Sequence, residues 1–505
     1  MTDALFTMPS HTSELIGRLA ARLAAEPAAP ALDGERLISL SELFIEAEAL
    51  AAVIRQHPAR VIAWTLEDSW RWVVTDLACM MADRIAVPIP DFFSAAQITA
   101  VLSLLGHGLW IGYESDALPV VTGNMTRAFP TPLTGISGYE WGNPGSGPEI
   151  PDTTSKITFT SGSTGEPKGV CLDEQLLVRV AQSINRRLGH ELNRQTQLSI
   201  APLAVLLENI AGLYRTLLAG GCYVLPASAD RAVSGSSCFR INQLSHALCK
   251  YAPGLMIASP RMLPALTEMA GDPSLECLRY VAVGGAPVTT ESLTAARLAG
   301  IPVYQGYGLS ECGSVVCLNT PGDDDPASVG RPLPHVELST RGEGELFVRG
   351  PRHLGYLGGN PITDEWIATG DRAEIDPNGR LHFKGRIGQR IITDMGRNVA
   401  PEWVEAAIEQ AEPALTACVI EDHGRIAALI DGAGLSDDQL TRAITVANDQ
   451  LPDYARVHRW ARLPEPLTTD NGCLTGTGRP RRAEIAKRHG RLLDVSTRES
   501  LCIPS

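Results

Sequence analysis

The sequence predicts an α/β protein in which helices cover parallel sheets, followed by a small β subdomain and a C-terminal α+β domain. Before about Ser328, short apolar strand candidates alternate with amphipathic helix candidates, a pattern typical of helix-covered parallel sheets. After that point apolar and polar residues alternate with a period of two, and turn pairs such as Asn378-Gly379 occur. This change indicates antiparallel strands.

A mixed pattern returns past Arg386, with a strand candidate QRIITD and a helix candidate that begins near Pro401. Proline is favoured in the first turn of a helix. We therefore expect one domain over residues 1–386 and a second over residues 387–505.

The elements of the N-terminal part can be placed in order. Leu37–Ile54 carries apolar residues on one helical face, and Ser39 with Glu42 three residues on predicts a capping box, Ser41 being the alternative cap. The other candidates are a helix at Asp68–Met81 and strands at Arg60–Thr65, Val87–Pro90, Trp110–Tyr113, Val120–Thr122, Ile157–Thr160, Gln197–Ala201, Cys222–Leu225, Met256–Ala258, Tyr280–Val283 and Val303–Tyr304.

Composition excludes several classes of protein. The 505 residues include 43 Lys and Arg against 57 Asp and Glu, a net charge of −14, which disfavours binding to nucleic acid and to anionic membranes. The most apolar stretch, Ala201–Leu225, is interrupted by Glu208, Asn209 and Arg215, so no membrane span is predicted. The N-terminus lacks the pattern of a signal peptide, and the eleven cysteines form no metal-binding spacing. We expect a soluble cytoplasmic protein with reduced thiols.

A glycine- and hydroxyl-rich loop predicts an anion site. Only five of the basic residues are lysines, and one of them, Lys168, lies in the segment TSGSTGEPKG over residues 160–169. Backbone N–H and hydroxyl groups of such a loop can surround an anion, to which the lysine adds a positive charge. The segment is not a P-loop of the GxxxxGK[ST] type, because the chain contains no Gly-Lys pair.

This loop resembles the phosphate-binding loop of the adenylate-forming superfamily, which includes acyl-CoA synthetases. Further resemblances follow in the family's order, over roughly residues 37–482. They are carried by Gly284-Gly-Ala-Pro287, by YQGYGLSE over residues 304–311, by WIATGD over residues 366–371, by Lys384-Gly-Arg386 and by GRNVAPE over residues 396–402.

The resemblance implies roles for individual residues. Lys168, Glu311 and Arg479 are the implied catalytic residues, and Glu311 is the implied ligand of Mg²⁺ bound to ATP. Activation of a carboxylate by ATP brings two anions together, so cations and backbone donors are needed. The implied nucleotide-binding residues are Thr160, Ser161, Gly162, Ser163, Thr164, Gly165, Gly285, Ala286, Gly306, Tyr307, Gly308, Ser310, Asp371 and Arg386.

Arg479 departs from the family pattern, which has a lysine in the corresponding C-terminal segment. The only lysine beyond Lys384 is Lys487, in a helix candidate. Arginine keeps the charge but not the compact ammonium, so the exchange is not conservative. Either Arg479 has taken the lysine's role or Lys487 supplies the cation.

The acyl site also departs from the pattern. Val205 stands where acyl-CoA synthetases often have histidine, and Leu203–Leu207 would make this wall apolar. Ala286, Val288 and Gly313 are expected to add small or aliphatic lining. An apolar, fatty-acid-like carboxylic acid is therefore the predicted substrate.

The predicted activity is ATP-dependent formation of an acyl-adenylate, followed by thioester formation with CoA. The phosphopantetheine of an acyl carrier protein is the alternative acceptor, and a catalytically weak protein that binds ATP or an acyl ligand is the alternative function. The resemblance implies that the C-terminal domain rotates about Arg386–Gln389. A C-terminal basic cluster is either a solvated helix face or a contact for CoA or for an acidic carrier protein; it comprises Arg479, Arg481, Arg482, Lys487, Arg488 and Arg491.

Overall fold

The computed structural model describes residues 13–91, 93, 95–114, 125, 127–161, 167–234, 238–286, 288–360, 362–387, 391–392, 398–451, 455–475 and 478–495. The α-helices are α1 (Glu14–Ala25), α2 (Leu40–Arg55), α3 (Trp70–Met81), α4 (Ala95–Leu105), α5 (Glu174–Leu188), α6 (Arg215–Ala219), α7 (Ile241–Tyr251), α8 (Leu263–Glu268), α9 (Thr290–Leu298), α10 (Pro401–Ala411), α11 (Asp437–Gln450), α12 (Arg482–His489) and α13 (Leu492–Val495). None of the described helices is both long and apolar enough to cross a membrane.

The strands of the N-terminal part are β1 (Pro30–Asp33), β2 (Ile38–Ser39), β3 (Val61–Trp64), β4 (Ile85–Pro88), β5 (Gly108–Tyr113), β6 (Arg127–Pro130), β7 (Ile136–Trp141), β8 (Thr154–Ser161), β9 (Pro167–Asp173), β10 (Gln197–Leu198), β11 (Tyr223–Val224), β12 (Val233–Ser234), β13 (Cys238–Phe239), β14 (Leu255–Ala258), β15 (Tyr280–Val283), β16 (Val303–Tyr307), β17 (Cys317–Leu318) and β18 (Arg331–Pro332). The later strands are β19 (Glu337–Arg341), β20 (Glu345–Arg349), β21 (Gly355–Tyr356), β22 (Trp366–Ile375), β23 (Leu381–Arg386), β24 (Ile391–Ile392), β25 (Asn398–Val399), β26 (Thr416–Asp422), β27 (Arg425–Asp431) and β28 (Arg459–Arg462).

Two large sheets confirm the prediction of helix-covered parallel strands. One has the order β18-β17-β16-β15-β14-β10-β11-β1-β2, and the other has the order β21-β9-β8-β4-β3-β5-β7-β6. The strands from β16 to β1 in the first sheet and from β8 to β5 in the second are parallel, and the edge strands are antiparallel. The largest buried core contains residues of α2, α3 and α5 and of strands in both sheets. The sheets are therefore joined through shared helices.

The first helix candidate is confirmed with its predicted cap. Ser39 Oγ accepts a hydrogen bond from the Glu42 N–H (3.2 Å), and Glu42 Oε2 accepts one from the Ser39 N–H (2.8 Å). Helix α2 accordingly begins at Leu40, directly after this residue. The capping box thus forms at Ser39, and the alternative cap Ser41 lies inside the helix.

A buried polar network connects β8 to α3 and to a π-helical segment. Lys156 on β8 donates hydrogen bonds to Asp76 Oδ1 (2.8 Å), Asn209 Oδ1 (2.5 Å) and the Tyr214 hydroxyl (3.0 Å). Asn209 and Tyr214 belong to a π-helical segment, Glu208–Tyr214, that runs directly into α6. Because a buried ammonium needs an anionic partner and filled donor sites, this network fixes the π-helical segment against α3 and β8.

The antiparallel prediction after Ser328 is also confirmed. Strands β19, β20, β22 and β23 form a four-stranded antiparallel sheet. Gly379 closes the turn between β22 and β23 with φ +78°, and its N–H donates to the Asp376 carbonyl (2.9 Å). Asp371 and Arg386 face each other as register partners on β22 and β23. The sheet therefore places these two predicted site residues side by side.

The C-terminal part has its own buried cores. One contains residues between Ile391 and Trp460, and another contains residues between Cys418 and Leu493. Strands β26, β27 and β28 form its sheet, and α10 begins at Pro401 as predicted. The boundary at residue 386 stays a prediction that these separate cores support. Part of the strand candidate QRIITD and all of the candidate Val120–Thr122 lie outside the described residues.

Candidate active site

Two parallel strands of the nine-stranded sheet end side by side at glycines. β15 continues into Gly284-Gly285, and β16 carries Gly306 and Tyr307 at its end. A Cβ atom on Gly284 would lie 3.2 Å from the Gly306 carbonyl oxygen, and one on Gly308 would lie 1.6 Å from the Ser314 carbonyl oxygen. Only glycine fits at position 308. Ligands of open α/β sheets bind at such carboxyl ends of parallel strands.

The predicted phosphate loop connects β8 and β9 as a hairpin. The backbone pairs Thr160 with Lys168 and Ser161 with Pro167. This antiparallel pair differs from the helix-connected parallel alternation expected for the region. The predicted residues between them, Gly162, Ser163, Thr164 and Gly165, lie outside the described residues.

Lys168 and Glu311 meet at a tyrosine that sequence reasoning missed. The exposed Lys168 ammonium lies 5.8 Å from the centroid of the Tyr356 ring, within the range of a cation–π contact. The Tyr356 hydroxyl donates a hydrogen bond to Glu311 Oε1 (2.7 Å). Burial, followed by the Glu311 carboxylate, raises the pKa of Tyr356, so this hydroxyl keeps its proton. Tyr356 thus lies between the predicted lysine and the predicted metal ligand.

Backbone pairing explains the arrangement around Glu311. Strand β21 pairs with β9, which brings Tyr356 beside the hairpin that carries Lys168. Ser310 and Glu311 lie in a short 3₁₀ turn after β16. The His353 N–H donates to the Glu311 carbonyl (2.8 Å), so the segment that carries Tyr356 is also held to this turn.

A second cluster of polar and charged side chains surrounds Asp371. Its Oδ2 accepts a hydrogen bond from the Tyr307 hydroxyl (2.6 Å), and its Oδ1 accepts one from Arg386 Nε (2.9 Å). Asp371 is 7% exposed. Burial and then the Asp371 carboxylate raise the pKa of Tyr307. Because a carboxylate has about four acceptor positions, Asp371 can accept further hydrogen bonds from a ligand.

Arg479 lies on the same side of the site as Asp371. Arg479 is exposed to solvent. Desolvation and then the charge of Arg386 lower the pKa of Arg479, whereas Asp371 and Glu402 act in the opposite direction. Lys487 instead lies on the exposed surface of α12, near Glu484. Of the two cations considered, the structure brings Arg479 to the predicted nucleotide site.

The turn that carries Arg479 is fixed from both sides. The Thr475 N–H donates to the Arg479 carbonyl (2.7 Å), and Thr475 Oγ1 accepts from the Arg479 N–H (3.0 Å). Arg482 binds both oxygens of the buried Glu405 carboxylate (2.7 and 2.9 Å). In the basic cluster, Arg482 and Arg488 are thus paired with acids, Arg488 with Glu484 (2.5 Å).

An open cavity of about 180 Å³ extends from the glycine-containing strand ends into the interior. Val205, Leu206 and Leu207 line it, so part of the predicted Leu203–Leu207 wall is present. The strands and helices around it add mostly apolar side chains and a few polar ones, namely Ile184, Leu188, Gln197, Ala211, Arg215, Leu255, Met256, Ile257, Tyr280, Ala282, Val283, Leu309, Ser310, Ser314, Val315 and Leu318.

Three predicted lining residues lie elsewhere. Val288 packs against the hydrophobic core around α7 and α9, and Gly313 faces the side chains of Leu176 and Val180 on α5. Ala286 follows Gly285 but is not among the residues that line the cavity. The expectation that these residues line the acyl wall is not met by this cavity, since Val288 faces the core around α7 and α9 and Gly313 faces α5.

The π-helical segment beside the cavity holds a buried acid. Glu208 Oε1 accepts a hydrogen bond from the Tyr223 hydroxyl (2.6 Å), and Oε2 accepts one from the Ala201 N–H (3.3 Å). Burial raises the pKa of Glu208 to about 8, and the negative charge of Asp68 adds to this effect. The carboxyl group is therefore protonated in the folded protein at neutral pH.

Glu208 predicts a pH dependence of stability. Because the pKa is about 8 when folded and ~4.3 when unfolded, the unfolded chain binds fewer protons between these values. Stability should therefore fall as pH rises through this window, by at most about 1.4 kcal/mol per pH unit. We expect the melting temperature of Glu208→Gln to fall less than that of the wild type between pH 6 and pH 8. Parallel melting profiles would contradict this assignment.

Comparisons with known proteins identify the family of the chain. A family model described as AMP-binding enzyme matches residues 19–357. A long-chain-fatty-acid–CoA ligase of Mycobacterium bovis is 24% identical over 83% of this chain and 85% of its own. Human long-chain-fatty-acid–CoA ligase 1 is 25% identical over 67% of this chain, a match that spans 60% of the human protein.

Solved structures of similar fold cover nearly the whole chain. An anthranilate CoA ligase in complex with anthranoyl-AMP has a TM-score of 0.75 at 18% identity, covering 95% of this chain and 98% of its own. O-succinylbenzoate CoA synthetase of Bacillus subtilis, in complex with ATP and magnesium, has a TM-score of 0.74 at 23% identity, covering 92% and 98%. These matches confirm the predicted fold class, and the relatives confirm the prediction of an AMP-forming acid–thiol ligase. The chain belongs to the family of AMP-binding enzymes.

Proposed function

We propose that the chain activates a carboxylic acid with ATP and transfers the acyl group to the thiol of CoA. One observation carries the proposal: a single cavity joins the glycine-containing strand ends to a largely apolar interior. Lys168 and Glu311 lie around Tyr356, whereas Arg386 and Arg479 lie around Asp371. Positively and negatively charged side chains thus lie near the mouth of a pocket that can hold a carboxylic acid.

The residues present fit ATP. The close approach at Gly284, Gly306 and Gly308 leaves flat backbone surfaces at the strand ends, which suits a planar base. Asp371 can accept hydrogen bonds from ribose hydroxyls, and Arg386 beside it can donate to ribose or phosphate. Lys168 adds a positive charge for the phosphates, at the end of the hairpin loop.

The donor set near the strand ends also fits Mg²⁺. Mg²⁺ in nucleotide sites takes one or two carboxylates and completes its coordination with phosphates and water. Glu311 would hold the ion, since the Tyr356 hydrogen bond occupies only Oε1. Bound there, Mg²⁺ would neutralise charge on the phosphates.

The two half-reactions make different demands on these residues. In the first, a substrate carboxylate oxygen forms a bond to the α-phosphorus and the bond to pyrophosphate breaks. Arg479 would stabilise the approaching carboxylate and the α-phosphate together. In the second, the thiolate sulfur of CoA forms a bond to the acyl carbon and AMP leaves with the electron pair.

We infer that residues 387–505 move between these steps, because one site must present different groups to each. The separate cores on either side of residue 386 support this division. A hydrogen bond from Thr289 to Gln410 (2.9 Å) joins α9 to α10 across the two parts. Gly388, at the proposed hinge, lies outside the described residues.

Product analysis tests the proposed function. Wild-type protein is incubated with ATP, Mg²⁺, CoA and single carboxylic acids that differ in length and polarity. We expect AMP, pyrophosphate and an acyl-CoA detected by mass spectrometry, each dependent on the acid. A phosphopantetheinylated carrier protein in place of CoA tests the alternative acceptor. Formation of ADP and phosphate would contradict the proposal.

A further inference from the structure

The far end of the cavity contains a buried arginine that the proposed reaction does not use. Gly284 and Gly306 lie at the carboxyl ends of their strands, whereas Gln197, Leu255 and Tyr280 lie at the amino ends of β10, β14 and β15 and are register neighbours. Tyr280 and Gly284 are four residues apart, about 13 Å along the sheet at ~3.3 Å per residue. The cavity therefore extends along the strands, from their carboxyl ends to their amino ends.

Arg215 closes this far end from the helix side. It follows the π-helical segment and lies one turn after Ala211, which also lines the cavity. Its side chain is 1% exposed. Nη2 donates hydrogen bonds to Gln197 Oε1 and to Thr216 Oγ1, both at 2.8 Å. Nε and Nη1 are buried and have no hydrogen-bond partner within the described part of the chain.

In the described part of the chain, no carboxylate compensates the charge of Arg215. Among the described residues, the groups that act electrostatically on it are the phenols of Tyr280 and Tyr223, and no carboxylate is among them. The Tyr280 hydroxyl donates to the Asn319 carbonyl (2.8 Å), and the Tyr223 hydroxyl donates to Glu208. Burial lowers the pKa of Arg215 to about 10, so the guanidinium is still protonated at neutral pH.

A buried cation with free donors is costly unless an anion binds it. Between the strand ends and Arg215, the cavity is lined by apolar side chains. These include Leu255 and Ile257 on β14 and Ala282 on β15. Because Arg215 lines the cavity, an alkyl chain that reached it would leave Nε and Nη1 without a hydrogen-bond partner among the described residues. An acid with an apolar middle and an anionic far end would satisfy both regions.

We propose that the substrate carries a second anionic group, a carboxylate, that accepts hydrogen bonds from Arg215 at the far end of the cavity. This inference rests on the proposed function, since the first carboxylate is the one that is activated. The proposed substrate is then a dicarboxylic acid with an apolar spacer, and not the fatty-acid-like acid that the sequence predicts. Arg215 is then a specificity-determining residue that distinguishes acids by their far end.

The test compares acids of matched length. Linear α,ω-dicarboxylic acids of about six to about twelve carbons are compared with monocarboxylic acids of the same lengths by pyrophosphate release. An extended chain advances ~1.2 Å per bond, so this range includes acids that span the cavity. We expect the wild type to have the higher kcat/KM for a dicarboxylic acid. Arg215→Met should lower the ratio of dicarboxylic to monocarboxylic kcat/KM by about tenfold or more, mainly through KM. Arg215→Lys should keep part of the preference.

Arg22→Met is the matched control, because Arg22 binds the Leu217 carbonyl on α6 (2.9 Å) from outside the cavity. The ratio of dicarboxylic to monocarboxylic kcat/KM in Arg22→Met should equal that of the wild type. A wild-type preference for monocarboxylic acids, or a ratio unchanged in folded Arg215→Met, would overturn the inference while leaving the proposed function intact.

A binding measurement separates the two proposals and needs no variant. A dicarboxylic acid without ATP should raise the melting temperature of the wild type more than its monocarboxylic counterpart. If no acid yields pyrophosphate but this difference is present, the proposed function fails, whereas binding of the far carboxylate at Arg215 is still supported. Equal shifts for both acids would contradict the inference directly.

Discussion

Replacing Glu311 by alanine is expected to lower the rate of acid-dependent adenylation by about 10²-fold or more, the size typical of an electrostatic group that acts in the transition state. The carboxylate lies in the short 3₁₀ turn after β16 and accepts a hydrogen bond from the Tyr356 hydroxyl at 2.7 Å. Its removal takes away both the proposed Mg²⁺ ligand and the partner of that hydroxyl. Lys168→Ala should have an effect of similar size, because Lys168 is the cation on the other side of the Tyr356 ring.

Tyr356→Phe is the control for this prediction. It keeps the ring beside Lys168 and removes only the hydrogen bond to Glu311. If Glu311 acts as proposed, the phenylalanine variant should lose much less activity than Glu311→Ala, as measured by pyrophosphate release at saturating Mg²⁺. Near-wild-type turnover in Glu311→Ala would show that Glu311 has no role in the reaction. Equal losses in both variants would mean that Glu311 acts only by positioning Tyr356.

The second large effect is expected at Arg479. Arg479→Ala should abolish adenylation while leaving thioester formation from a supplied acyl-adenylate largely intact, because its electrostatic neighbours are Arg386 and Asp371 on the nucleotide side. Arg479→Lys should keep the adenylation rate, since an ammonium can still neutralise both anions. The two half-reactions are measured separately on the same preparations.

Lys487→Ala is the matched control, because Lys487 is exposed on α12. Its adenylation rate should equal that of the wild type. If Lys487→Ala is inactive and Arg479→Ala is active, the catalytic cation is Lys487 and not Arg479. If neither variant changes pyrophosphate release, no C-terminal cation is required and the alternative of a weakly active binding protein gains support.

The fold was predictable because local pattern and tertiary structure agree in most elements. The capping box at Ser39, the parallel strands β14 to β16 and the turn at Gly379 follow from local signals. The hairpin of β8 and β9 was not predicted as such. Its strands are separated by the glycine-rich loop, and an apolar strand has the same pattern in parallel and antiparallel pairing.

The candidate site was predictable only where residues belong to a motif. Tyr356 contacts Glu311 because β21 pairs with β9, a long-range contact that no local pattern in the sequence reveals. Arg215 stands in an apolar stretch and could be interpreted only as an interruption of it. Its significance depends on two nitrogens at the end of a cavity that have no hydrogen-bond partner among the described residues, which only the folded structure shows.

Exchange of labelled pyrophosphate into ATP tests the central claim most directly, because it reports reversible formation of an acyl-adenylate and needs no thiol. With wild-type protein, Mg²⁺ and the panel of mono- and dicarboxylic acids, we predict exchange that depends on an acid and is lost in Glu311→Ala. Absence of exchange above the acid-free level with every acid of the panel, in protein that still binds ATP, would contradict the account.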